Sequence, residues 1–182
     1  AMQYALTPLA ISRIEKAVVE YLLSGKLSLK DATWNIAVIE RDVPCAHLAF
    51  QDLKLHFENL FALKGEKITF PEIKLNIYRT QEFKNAKLNV IYPGNIKFVE
   101  NFDSEAPYDL LIDVSVLQRV GIKNEPYETQ AKNKVIIRSV KSIKSEHNLL
   151  TDKSIKYLDF NSKRLDETKK DKDKWWMITK FI

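Results

Sequence analysis

The sequence predicts an α/β domain: a mostly parallel or mixed sheet with flanking helices, a Rossmann-like layering without a phosphate loop. Three observations predict it. The runs Trp34–Ile39, Tyr108–Val114 and Lys134–Val140 are apolar at their centres and do not alternate, as in strands covered on both faces. Two further segments carry apolar residues at helical spacing. The first apolar run, a short loop and the second helical segment follow one another as the opening of a βα unit.

The first helix is placed at about residues 8–24. Thr7 is a natural cap and Pro8 suits a first helical position. Ile11, Ile14, Val18 and Tyr21–Leu22 form the apolar stripe, and Gly25 is the stop. The strand Trp34–Ile39 then ends abruptly in Glu40-Arg41-Asp42, which places charge at its carboxyl end. Pro44 opens a second helix over roughly 44–63, with Phe50, Leu53, Phe57, Leu60 and Phe61 as its stripe and Gly65 beyond it.

Ile73–Tyr78 alternates apolar and polar residues, as a half-exposed strand does. Leu88–Tyr92 reads as another, ended by the turn signal Pro93-Gly94. A short strand fits Ile96–Val99. Ser115–Val120 suits one helical turn, and 123–133 suits a surface loop. Arg164–Lys174 is nearly all charged, as in a solvated hinge. The apolar end Trp175–Ile182 either docks somewhere or is the truncated start of a further element. The domain organisation expected is therefore one α/β domain over 2–162, with a charged hinge and apolar tail over 163–182. Ala1 reads as a residue ahead of a start codon and is left out of the fold.

The chain of 182 residues is long enough to bury one core. Cys45 is the only cysteine, so no intrachain disulfide forms, and His47, His56 and His147 do not have zinc-ligand spacing. No apolar run is long enough to span a bilayer, and the start lacks a signal-peptide pattern. The expectation is a cytoplasmic protein with no membrane partner. The net charge of +5 is uneven: residues 1–129 carry −2 and residues 130–182 carry +7. A basic segment of this kind favours a polyanionic partner.

Phosphate cradles are excluded. With four glycines the chain has no Gly-x-Gly-x-x-Gly. Gly25-Lys26 is followed by Leu27, and Glu20 stands where a Walker A loop needs its first glycine. No cofactor is expected in this domain.

Three candidate groups remain. Glu40, Asp42 and Asp113 lie near strand ends, where open α/β sheets bind ligands. If they converged, they would hold Mg²⁺ for phosphodiester cleavage, with Arg41 or Lys141 on the phosphate. The competing structural reading is a helix-capping and salt-bridge cluster. A restriction-nuclease pattern is broken: Asp109 or Asp113 supplies a first acid, but Ile136-Ile137-Arg138 lacks an acid before the base. Cys45 and His47 lie near a helix start, where a thiol is activated. Residues two apart on a helix do not face one another, and the simpler reading is a buried thiol with a surface histidine. Finally Lys132, Lys134, Arg138, Lys141 and Lys144, followed by Lys153 and Lys156 near Tyr157 and Phe160, form a candidate nucleic-acid surface. An ordinary solvated edge explains the same lysines.

The stretch Trp34–Cys45 with the following helix over Leu48–Leu63, together with Leu6–Ala10, Tyr108–Leu117 and Val135–Ser139, resembles a region ahead of the ATPase core in very large bacterial RecQ-type DNA helicases. The similarity covers about residues 6–140 and carries no catalytic signature. It implies a non-catalytic accessory domain of a multidomain helicase, whose partners are DNA or the helicase core of the same polypeptide. The alternatives are the metal-dependent nuclease above and a protein-interaction scaffold docking through the tail, since Trp is a common interface anchor.

Overall fold

The computed structural model describes residues 2–41, 44–79, 96–102, 106–116, 129–140, 155–159 and 176–182. In chain order the elements are α1 (Met2–Leu23), β1 (Thr33–Glu40), α2 (Ala46–Leu63), β2 (Glu72–Arg79), β3 (Ile96–Phe98), β4 (Leu110–Ser115), β5 (Lys134–Val140), β6 (Ile155–Asp159) and β7 (Trp176–Phe181). They form an α/β fold, as the patterning predicts. The expected strand at Leu88–Tyr92 and the hinge at Arg164–Lys174 lie outside the described residues, as does most of the turn at 115–120.

All seven strands belong to one sheet, ordered β3-β2-β1-β4-β5-β7-β6. The strands from β3 to β5 are parallel. β7 runs antiparallel to both β5 and β6. The chain therefore winds outward from β1 through β2 to β3, then returns to the other side of β1 for β4 and β5. This reversal of strand order is the topological switch point of the sheet, and it lies between β1 and β4.

Strand parity divides the side chains between two layers. Trp34, Ile36 and Val38 of β1 join Leu75, Ile77, Ile112, Val114, Val135 and Ile137 in a core covered by α1 and α2. Ala37, Ile39 and Leu111 point to the opposite face, where they pack with Val99, Phe102 and Tyr108. The interior strands β1 and β4 are buried on both faces, which is why their sequences do not alternate.

Both helices run opposite to the strands and end alike. Gly25 adopts φ 75° and Gly65 φ 69°. Lys26 N–H donates to the Tyr21 carbonyl at 2.9 Å, and Glu66 N–H to that of Phe61 at 2.9 Å. Only a residue tolerant of the left-handed region closes a helix this way. The other end of α1 differs from expectation. Helix continues back to Met2, so Pro8 lies inside it and Thr7 is not its cap. A proline in the first turns sacrifices few helical bonds, and its sequence signal does not separate the first turn from the second.

The apolar tail is a strand of the sheet rather than an appendage. β7 lies between β5 and β6, with Met177 and Ile178 buried. The Phe181 ring meets Tyr21 of α1 edge-on at 5.3 Å. The boundary expected at residue 162 thus falls inside one sheet.

Candidate functional site

The carboxyl ends of β1, β2, β4 and β5 gather five charged residues, and the sheet separates them into two groups. The register pairs Ile39 with Asp113 and Glu40 with Val114. Partners in parallel strands share a face, so Asp113 lies on the Ile39 side and Glu40 on the helical side. The expected convergence of Glu40, Asp42 and Asp113 fails at this pair, because one residue of register puts the sheet between them. Asp42 lies outside the described residues. Among the described residues no group of three or more His, Cys, Asp or Glu side chains is placed to hold a metal ion.

On the side away from the helices, Asp113 is bound by two arginines. Arg41 contributes Nε to Oδ1 and Nη2 to Oδ2, each at 3.0 Å. Arg138 places Nη1 2.7 Å from Oδ1 and 3.1 Å from the Asp113 carbonyl oxygen. Asp113 is fully buried and Arg138 is 1% exposed. Burial alone would push the Asp113 carboxyl up. Hydrogen bonds from Arg41 and Arg138, with their charges, outweigh it and hold the group below its ordinary range.

On the helical side, Glu40 sits below the start of α2. Its Oε2 accepts from Ala46 N–H at 3.4 Å, and its Oε1 lies 3.7 Å from Arg79 Nε. Burial pushes the Glu40 carboxyl up to about 7, against opposition from the Ala46 and Cys45 amides and from Arg79. The Arg79 guanidinium rests over the Phe98 ring at 4.4 Å, a cation–π contact. His47, in the first turn of α2, is buried, so the surface position expected for it is corrected. Burial and the charge of Arg79 both lower its pKa. Cys45 is the expected buried thiol.

The basic candidates are divided as well. Arg138 is enclosed with Asp113, so it presents no charge to a phosphate; a central strand buried on both faces leaves its guanidinium no route to water. Lys132 does reach solvent, with 71% of its side chain exposed, and its ammonium lies 3.5 Å from Asp109 Oδ1. Lys134 opens β5, and its carbonyl accepts from Tyr21 Oη at 2.9 Å. These two stand at the amino end of β5 and Arg138 near the carboxyl end. Lys141, Lys144, Lys153 and Phe160 lie outside the described residues.

Sequence reasoning missed two features. Arg79 follows an alternating strand as Arg41 follows a buried one, and that repeat of Arg after a strand was the available signal. The second is a carboxyl pair between the helices, Glu15 and Asp52, which no spacing within one segment reveals.

Strand order and site together define the class: an α/β domain with a mixed sheet, parallel from β3 to β5 and closed at one edge by the antiparallel pair β7 and β6, with arginine–carboxylate clusters at the carboxyl ends of its parallel strands. Compared with protein-family models, curated proteins and solved structures, the chain matches none.

Proposed function

We propose that the chain is a non-catalytic accessory domain of a multidomain DNA helicase of the RecQ type, which contacts nucleic acid or its neighbouring domains. The observation that carries the non-catalytic part is the saturation of Asp113. A metal-binding carboxylate offers lone pairs to an ion. Both Asp113 oxygens are instead taken up by arginine donors in a dry site, and Glu40 lies across the sheet from it. This arrangement supports the salt-bridge reading over the nuclease one.

The nucleic-acid part is supported by the net +7 of residues 130–182 and by the exposed ammonium of Lys132. Phosphate contacts of this type release counterions and weaken with salt. The test is binding of fluorescent single- and double-stranded DNA by the whole chain across a salt series. The expected result is affinity that falls linearly on a log–log plot. Absence of binding at low ionic strength would remove the nucleic-acid reading.

Contact with protein is supported separately. Leu23, Leu55 and Leu63 are 83, 58 and 84% exposed on the two helices, while the expected docking tail is occupied as β7.

A further inference from the structure

Helices α1 and α2 leave a groove of about 640 Å³ between them. Its apolar lining comes from Val19 and Leu23 on one side and Leu53 and Leu60 on the other. Val19, Leu23 and Leu60 are exposed, so among the described residues this surface is open. From Ser12 to Leu23 the α1 wall extends roughly 16 Å at the helical rise, a length that matches about three turns of another helix.

Charge decides what fits. Glu15, Glu20 and Asp52 line the groove with Lys16 as the one permanent cation and His56 beside them. Both helices point their carboxyl ends the same way, and neither has a basic residue in its last turn. Basic residues follow only beyond these turns, at Lys26 after α1 and at the C-cap Lys64 of α2. An apolar trough whose charged lining is mainly acidic favours a cationic, amphipathic partner.

We propose that the α1–α2 groove docks a basic amphipathic helix of about three turns, presented by a neighbouring domain. The inference rests on the reading of the chain as an accessory domain, and names the chemistry of its protein contact. Apolar residues of the incoming helix at i, i+3 or i+4, and i+7 meet Val19, Leu23 and Leu60. Its lysines or arginines flank the trough and meet Glu15, Glu20 and Asp52.

The contact is coupled to protons. Burial, and then the hydrogen bond to Asp52 and its charge, raise the Glu15 carboxyl to about 7. A lysine entering beside this pair favours the ionised form, so docking expels the proton and strengthens as pH rises from 6 to 8. Lys16, Glu20, Asp52 and His56 are the other charged or titratable groups facing the groove.

The test uses the full chain and a fluorescently labelled, helix-stapled peptide of about three turns, with leucine at the inward positions and lysine on both flanks. A twin peptide carries glutamate for lysine. The expected result is that the lysine peptide binds about tenfold or more tightly than its twin. Leu23→Glu and Val19→Glu should each weaken it about tenfold, as loss of an interface anchor does. Glu15→Gln should reduce the pH dependence. Labelled DNA is titrated in parallel, and its affinity should not change with Leu23→Glu. Equal binding of the two peptides, or binding indifferent to Leu23→Glu, would overturn the proposal. Self-association abolished by Leu23→Glu would also overturn it, since the groove would then belong to a second copy. Peptide selectivity without DNA binding would leave the docking site standing and remove only the nucleic-acid reading.

Discussion

Arg41 grips both oxygens of Asp113, Nε on Oδ1 and Nη2 on Oδ2, each at 3.0 Å. The pair ties β1 to β4 across the switch point, and Arg138 closes it from β5. Removing one member strands charge in a dry place. Asp113→Ala should therefore destabilise the chain by about 3–5 kcal/mol in chemical denaturation. Replacing the carboxylate and the buried guanidinium together, with Asp113→Leu and Arg138→Met, should recover most of that loss. A double variant as unstable as the sum of its parts would contradict this account.

The same pair fixes an acid limb. The folded pKa of Asp113 lies below its ordinary 3.8. A depressed carboxylate contributes stability above its unfolded pKa and loses it as pH falls through the folded pKa. Denaturation midpoints should thus drop below pH 3.8 in the native chain. In Asp113→Asn the curve should start lower and lack this component.

Glu40 works with the opposite sign. Its folded pKa is about 7 against an ordinary 4.5. Between those values the folded state holds a proton that the unfolded state has released. Stability then declines as pH climbs from 4.5 to 7 and is level above that. The shift corresponds to a loss on the order of 2–3 kcal/mol at neutral pH. Glu40→Gln should remove most of this slope and raise neutral-pH stability. Glu15 titrates in the same window, so part of the slope persists. An unchanged slope would show that Glu40 meets more solvent than its buried position implies.

The difference between Glu40 and Asp113 shows where the sequence was legible. Runs such as Trp34–Ile39 and Tyr108–Val114 announce buried strands, because the absence of alternation is itself a burial signal. The charges at strand ends could be located for the same reason. Which face each charge occupies depends on pairing register, and a shift of one residue exchanges the faces. Nothing within either strand encodes its partner's offset. Trp176–Phe181 was similarly readable as apolar but not as a strand, since its antiparallel neighbours come from residues 134–140 and 155–159. The Glu15–Asp52 pair depends on how two helices lie side by side, which is a tertiary fact.

Lys132, just ahead of β5, and Arg138, within it, separate by burial. Lys132 is exposed, so Lys132→Glu should leave stability within about 0.5 kcal/mol, as most surface substitutions do. It should weaken DNA binding and lower the salt slope by about 1, the loss of one phosphate contact. Arg138→Met should lower stability by leaving Asp113 short of a donor, and should leave the salt slope of the folded fraction unchanged. Equal slopes for native chain and Lys132→Glu would remove Lys132 from the contact surface.

Strand β7 joins the last hairpin to the central sheet, and its side chains are part of the core. Met177 is fully buried and clusters with Val135, Ile137 and the residues of α1. Met177→Ala removes three heavy atoms from a packed site, for which about 2–5 kcal/mol is the usual cost. Cys45, fully buried beside Ala46 in that same cluster, provides a reporter. Its thiol should be inert to Ellman's reagent in the native chain, and should react at a rate that rises as the whole core is destabilised. If Met177→Ala lowers the denaturation midpoint and accelerates Cys45 labelling in proportion, β7 and the helical face unfold as one unit. If the midpoint falls while labelling stays slow, β6 and β7 open by themselves and the sheet from β3 to β5 persists without them.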